Sequence, residues 1–135
     1  LGVDGSSSND SGHMLNEARQ AMLLQRVKHG ASAISARDVL RTATRGGAEV
    51  LRRKNIGQIA PGFMADIAIY DTQSVDLAGT HSDPLAALVF CGPIKTKYTI
   101  INGNLVVKDG QLTTINLNAL LQEHRTLSID LVNSA

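Results

Sequence analysis

Aromatic side chains are scarce in this sequence, which has no Trp and only two Phe and two Tyr among 135 residues. Few side chains are therefore able to stack on nucleic-acid bases. Positive charge is also sparse, because 13 Lys and Arg nearly balance 12 Asp and Glu, and the densest run of cations is Arg52–Lys54. Without a basic stripe along which a phosphate backbone could lie, the composition disfavours nucleic acid as a partner.

Cysteine is scarce as well, and long apolar runs are missing. The single cysteine, Cys91, cannot form an internal disulfide, is typical of a reducing compartment, and has apolar neighbours that predict a buried thiol rather than a nucleophile. No apolar run reaches the roughly 18 residues needed to span a bilayer, and no signal-peptide pattern opens the chain. These absences predict a cytoplasmic protein without a membrane partner.

Hydrophobic periodicity predicts a helical front half. Apolar residues recur at spacings of three and four over His13–Lys28, which indicates an amphipathic helix. Ser35 followed by Asp38 resembles a capping box and predicts a second helix over residues 36–44. The pair Gly46-Gly47 is expected to interrupt that helix.

From Asn55 onward the pattern becomes one of short strands and turns. Residues 65–71 form the clearest strand, and Asp83-Pro84 predicts the start of a short helix over residues 84–90. Asn102-Gly103 between two apolar runs predicts a hairpin with a type I′ turn. A final helix is expected to dock through its apolar face, within the protomer or onto a second copy, and its leucines are Leu117, Leu120, Leu121, Leu127 and Leu131.

The first ten residues have the pattern of a strand end followed by a loop. A short apolar run stops at Asp4, and a segment rich in Gly, Ser and Asn follows. A carboxylate at the C-terminal end of a barrel strand is a common catalytic position, whereas a surface aspartate that forms a turn with Gly5 is the alternative. Because one strand end cannot satisfy its own hydrogen bonds and no initiator Met precedes it, we expect the chain to be the back portion of a larger protein.

Three segments, in this order, resemble the amidohydrolase superfamily and in particular its cytosine- and guanine-deaminase-like branch. They are Leu1–Asp10, the G-x-I-x-x-G-x-x-A-D-I stretch at Gly57–Ile67, and the closing hairpin at Ile100–Gly110. The first segment, with the helix at Glu17–Ala21 behind it, is most similar to 8-oxoguanine deaminases and hydroxyatrazine ethylaminohydrolases.

The resemblance implies an α/β fold in which a (β/α)₈ barrel of the TIM type is joined to a small β-sandwich. Residues 1–54 would supply the end of barrel strand eight and the helices after it. Residues 55–112 would supply the C-terminal part of the sandwich with the short helix 84–90, and residues 113–135 a C-terminal helix.

The resemblance also implies a metal-dependent hydrolase of non-peptide C–N bonds. Asp4 would be the last ligand of one divalent metal, zinc being favoured and iron the alternative, and would carry a proton during deamination of a purine-like or triazine ring by metal-activated water. An 8-oxoguanine-type ring is the favoured substrate. The remaining ligands and the catalytic His and Glu would lie upstream of Leu1, so the isolated chain is expected to be inactive.

Ser6, Ser7 and Asn9 are candidate substrate-binding residues, although each could instead be a loop or cap residue. Expected partners are a small heterocyclic substrate, the missing N-terminal portion of the same enzyme and a second copy of the chain. Two other functions remain open: a non-catalytic binding or oligomerisation module, and a superfamily member that expels an amide or halide leaving group.

Overall fold

The computed structural model describes residues 1–134, in which a largely helical part of the chain is followed by a part that contains the strands. The α-helices are α1 (Met14–His29), α2 (Ala36–Arg41), α3 (Gly47–Val50), α4 (Pro84–Phe90) and α5 (Leu117–Asn133), with a π-helix at Thr42–Gly46 and a 3₁₀ helix at Val75–Leu77. The strands are β1 (Ile67–Ile69), β2 (Tyr98–Ile101), β3 (Asn104–Lys108) and β4 (Gln111–Leu112). The expected α/β class is confirmed. The chain has a helical front, which contains α1 to α3, and a β-rich back, which contains β1 to β4 with α4 between β1 and β2.

The predicted capping box is present at the start of α2. The Ser35 hydroxyl accepts from the Asp38 amide at 3.2 Å, and the Asp38 carboxylate accepts from the Ser35 amide at 3.2 Å. The predicted interruption at Gly46-Gly47 is wrong, because both glycines keep helical torsions and the chain passes from α2 through the π-helix into α3. A glycine inside a helix costs only about 1 kcal/mol, which tertiary packing can outweigh.

Gly57 packs closely against this continuous helical path. A side chain at Gly57 would begin 3.0 Å from the Ala48 Cβ and 3.1 Å from the Thr44 carbonyl oxygen. The loop that leads into the sheet therefore lies directly on the backbone of the π-helix and α3.

Two small aliphatic clusters hold the chain together, as the lack of aromatic residues predicts. Met22, Val39 and Val89 are fully buried and join α1, α2 and α4. A second cluster around Leu77 and Ile94 lies on the side of α4 that is nearer the sheet. The helical front thus has its own core and is tied through α4 to the β-rich back.

The strands form one antiparallel sheet in the order β1-β2-β3-β4. The predicted hairpin is confirmed, with left-handed φ values of 49° at Asn102 and 79° at Gly103, as a type I′ turn requires. A similar turn at Asp109-Gly110, with φ of 48° and 75°, adds β4, which the sequence analysis missed. The predicted strand at 65–71 is limited to β1, and residues 1–4 pair with no strand in the described part of the chain.

The last helix, α5, begins as predicted, because the Asn116 side chain caps it by accepting from the Ala119 amide at 3.2 Å. Residue 135, the end of the predicted segment 113–135, lies outside the described residues. Beyond Leu117, every side chain that the structure describes on α5 is exposed, including Leu127 at 61% and Leu131 at 71%. Over residues 1–134, no helix combines the length and apolar character that crossing a membrane requires.

Cys91 is exposed, so the predicted burial of its thiol is wrong. Ala87 and Val89 of α4 are buried, but Cys91 is the residue that ends the helix. Since the chain leaves the helical path there, its apolar neighbours do not bring Cys91 into the core.

Candidate functional site

Asp4 lies in a tight local turn. Its φ is 60°, in the left-handed region that Asp adopts more readily than most residues because its short side chain can hydrogen-bond locally. The Gly5 amide donates to Asp4 Oδ1 at 2.7 Å. The structure therefore shows an exposed aspartate in local contact with Gly5, as the alternative predicts, but without a bond from the Ser6 amide that would close an Asx-turn. Within residues 1–134 the second oxygen, Oδ2, forms no hydrogen bond, so the exposed carboxylate keeps one oxygen open to a ligand.

The loop after Asp4 is closed by backbone hydrogen bonds. The amides of Ser8 and Asn9 both donate to the Gly5 carbonyl, at 2.9 and 3.0 Å. Ser6 and Ser7 at the tip are exposed, and their hydroxyls have no hydrogen-bond partner among the described residues. They remain available to contact a polar ligand.

Asn9, in contrast, is engaged within the protein. Its Nδ2 donates to the Val3 carbonyl at 2.8 Å and to Glu17 Oε1 at 2.9 Å, while its Oδ1 accepts from the Ser11 amide at 3.1 Å. Both N–H groups of the amide are used, which leaves no donor for a substrate. Asn9 also does not cap α1, whose N-cap is His13 without a side-chain cap bond.

His13 lies at the contact between the helical front and the β-rich back. Its Nε2 donates to the Ile94 carbonyl at 3.2 Å, across 81 positions of sequence. Its Nδ1 is buried and has no partner in the described part of the chain. Sequence reasoning missed both His13 and Glu17 as contributors to this region, and an acidic residue in the first turns of a helix is the only signal that could have marked Glu17.

The residues of the chain supply only part of a metal site. Across residues 1–134, no three His, Cys, Asp or Glu side chains lie close enough together to hold an ion. Zinc in proteins takes about four ligands, and carboxylate oxygens are among the accepted types. Asp4, with its exposed carboxylate and open oxygen, fits the role of one such ligand.

A large cavity lies elsewhere, between the helical front and the sheet, with a volume of about 1110 Å³. Its charged lining side chains are Arg37, Arg41, Arg45, Asp66 and Lys95. Asp66 has a structural role, since its Oδ1 accepts from the Asn102 amide at 2.7 Å. Burial raises the pKa of the Tyr70 phenol on the same wall, so the phenol, already neutral at pH 7, is still harder to ionise. This lining contains no pair of carboxylates and no histidine cluster, so the cavity is a weaker candidate for catalysis than Asp4.

Known proteins are similar to the chain in both sequence and fold. The sequence model of the amidohydrolase family matches residues 1–106. An 8-oxoguanine deaminase from Pseudomonas aeruginosa is 42% identical over 132 residues, which are 98% of this chain and 29% of that protein. A hydroxydechloroatrazine ethylaminohydrolase from Pseudomonas sp. strain ADP is 38% identical over 119 residues, 82% of this chain and 24% of that protein.

Solved structures give the same picture. A zinc-bound adenosine deaminase from Xanthomonas campestris superimposes with a TM-score of 0.86 and 28% identity, covering 98% of this chain and 30% of that one. A variant of atrazine chlorohydrolase from Arthrobacter aurescens, complexed with zinc and atraton, gives a TM-score of 0.82 and 34% identity, with coverage of 91% and 28%. The chain thus spans between about a quarter and a third of the length of each of these proteins.

Proposed function

The chain belongs to the amidohydrolase family, and we propose that it acts as the C-terminal part of a metal-dependent hydrolase of non-peptide C–N bonds. The proposed reaction is hydrolytic deamination of a purine-like or triazine ring, with an 8-oxoguanine-type ring favoured. The 42% identity to an 8-oxoguanine deaminase over 98% of the chain supports that preference.

The observation that carries the proposal is the conformation of Asp4. A turn to the left-handed region holds its carboxylate at the surface, with Oδ1 bonded to Gly5 and Oδ2 open. Zinc, when bound, supplies a Lewis acid that lowers the pKa of water towards about 7. The Asp4 carboxylate would contribute one oxygen ligand, accept a proton from the attacking water and return it to the departing amine. Zinc is preferred over iron because the two similar structures above contain zinc.

Ser6 and Ser7 are the residues of this chain that we propose to contact the substrate. Their exposed hydroxyls lie two and three residues after Asp4 and can donate to or accept from the edge of a heterocycle. Asn9 is left out of this role because its amide is already bonded to Val3 and Glu17.

The proposed enzyme contains more than this chain. A further portion would provide the remaining metal ligands, and residues 1–54 would complete a barrel at its eighth strand. Residues 55–112 would complete a small β-sandwich, and residues 113–135 would provide a C-terminal helix. The exposed leucines of α5 support a homo-oligomer in which this helix contacts a second copy. A cytoplasmic location is consistent with the exposed free thiol of Cys91.

The test uses the complete enzyme with Asp4→Asn, which removes one carboxylate oxygen while keeping the turn, and Asp10→Asn as the control in the same loop. We expect Asp4→Asn to lose bound zinc and at least about 100-fold in ammonia release from 8-oxoguanine. Guanine, cytosine and N-alkyl triazines are assayed in parallel to define the ring. Unchanged zinc content and rate in Asp4→Asn would refute the proposal.

A halide leaving group is the second candidate, because an atrazine chlorohydrolase is 34% identical over 91% of the chain. Chloride release from a chlorotriazine, measured beside ammonia release from 8-oxoguanine, separates the two reactions. Faster chloride release would assign the chain to the second candidate.

A further inference from the structure

We propose that Asn9 and Glu17 form a positioning pair that fixes the Asp4 turn for metal binding. This inference rests on the proposed function, because it assigns Asp4 the role of ligand. Neither residue hydrogen-bonds the Asp4 carboxylate itself. They act through the backbone next to Asp4, which Asn9 contacts at 2.8 Å through the Val3 carbonyl.

The Asn9 amide has one orientation that satisfies all of its neighbours. Val3 O and Glu17 Oε1 only accept hydrogen bonds, so the NH₂ group must face them, while the Ser11 N–H donates to the oxygen. Rotating the amide by half a turn would place an oxygen against two acceptors. The network therefore holds the side chain in a single state.

The Val3 carbonyl is the part of the backbone that this network fixes. It shares a rigid peptide plane with the Asp4 nitrogen, and rotation of Asp4 against that plane defines its φ of 60°. A left-handed φ is costly for a residue with a side chain and persists only where the surroundings hold it. Fixing this plane restrains one side of the rotation that sets φ, while the Gly5 amide holds the carboxylate itself through Oδ1.

Glu17 anchors the pair to a rigid element. Glu17 lies in α1. The next residue of this helix, Ala18, and Met22 one turn later are fully buried against α2 and α4. The bond to a carboxylate is charge-assisted and is stronger than a bond between neutral groups. Through Asn9, the Asp4 turn is therefore held by the helical core rather than by its own exposed loop.

Four variants of the complete enzyme test this inference: Asn9→Ala, Glu17→Ala, Glu17→Gln and, as the matched control, Glu49→Ala. Glu49 is an exposed helical glutamate whose side chain forms no hydrogen bond within the described residues. The readouts are the zinc dissociation constant by chelator competition, kcat and KM, and the melting temperature of the zinc-free protein. Asp4→Ala is measured alongside as the reference.

We expect Asn9→Ala and Glu17→Ala to weaken zinc binding by about 10- to 100-fold, the usual effect of removing a group that orients a ligand. Glu17→Gln keeps an acceptor oxygen and should stay within about threefold of the parent, as should Glu49→Ala. The double variant Asn9→Ala/Glu17→Ala should be no weaker than the weaker single variant, because both act through one path.

Parent-like zinc binding in Glu17→Ala, or equal losses in Glu17→Gln and Glu17→Ala, would overturn the positioning role. If Asn9→Ala fails to fold, the comparison of Gln with Ala at position 17 still decides the matter. Parent-like zinc binding in Asp4→Ala would overturn the proposed function and the inference together. Loss of zinc in Asp4→Ala alone would overturn only the inference.

Discussion

Arg37 and Asp83 form a bidentate ion pair that joins the start of α2 to the start of α4. The guanidinium donates through both terminal nitrogens to the two carboxylate oxygens, at 2.7 and 2.9 Å, across 46 positions of sequence. The same carboxylate caps α4 by accepting from the Ala86 amide at 3.0 Å. One side chain therefore begins a helix and fixes its direction against another.

The pair makes the stability of the protein depend on pH. Hydrogen bonding to Arg37 holds the pKa of the Asp83 carboxyl below its ordinary value, so folding favours the charged form. This contribution is present above the ordinary Asp pKa of about 3.9 and is lost as the pH falls through the lower pKa of the folded state. Asp83→Asn keeps the cap but removes the charge, so it should lower the free energy of unfolding at pH 7.

Urea unfolding of the parent and Asp83→Asn at several pH values measures this difference, with Asp76→Asn on an exposed aspartate as the control. The gap between parent and Asp83→Asn should close once the pH falls below the value at which the Asp83 carboxyl of the folded protein becomes protonated. A gap that stays constant down to that pH would show that the charge of Asp83 does not contribute.

Met22 should be the most costly side chain of α1 to truncate. It is fully buried among α1, α2 and α4, and Met22→Ala removes packing that few other residues can replace in so small a core. We expect a loss of about 2–5 kcal/mol in the free energy of unfolding, measured by urea denaturation. Leu24→Ala on the same helix, where the side chain is 59% exposed, should cost less than about 0.5 kcal/mol. Equal effects would show that α1 does not pack as described.

Gly57 and Gly62 allow backbone strain and close packing to be measured separately. Both have left-handed φ values, 87° and 82°, but a side chain would collide with Ala48 and Thr44 only at Gly57. Gly62→Ala should cost about 1 kcal/mol from the backbone alone. Gly57→Ala should cost about 1–3 kcal/mol more, because the contact at 3.0 Å forces the backbone apart. Similar thermal shifts in the two variants would contradict the tight contact.

The proposed self-association through α5 predicts a change in mass. Leu127→Asp places a charge on the apolar face, whereas Gln122→Asp places the same charge on the opposite face of the helix. Light scattering coupled to size exclusion should show a smaller assembly only for Leu127→Asp. If both variants keep the parent mass, α5 does not form the contact between copies.

Local signals in the sequence located most of the elements. The Ser35 capping box, the Asp83-Pro84 helix start and the Asn102-Gly103 turn each depend on neighbouring residues, and all three are observed. The path through Gly46-Gly47 and the exposure of Cys91 depend on what packs nearby, so composition and spacing did not reveal them.

The same distinction between neighbouring and distant contacts applies to the candidate site. Asp4 could be selected from its position before Gly5 and from a family resemblance, and the structure adds its left-handed turn. The role of Asn9 depends on Glu17, which lies eight residues away and reaches it only when α1 folds back on the loop. His13 likewise gains its partner, Ile94, from a distant segment.

The left-handed backbone at Asp4 limits which substitutions the loop tolerates. Asparagine and glycine adopt this conformation more easily than other residues, and asparagine has nearly the same shape as aspartate. A single exchange to asparagine can therefore remove the charge while preserving the turn.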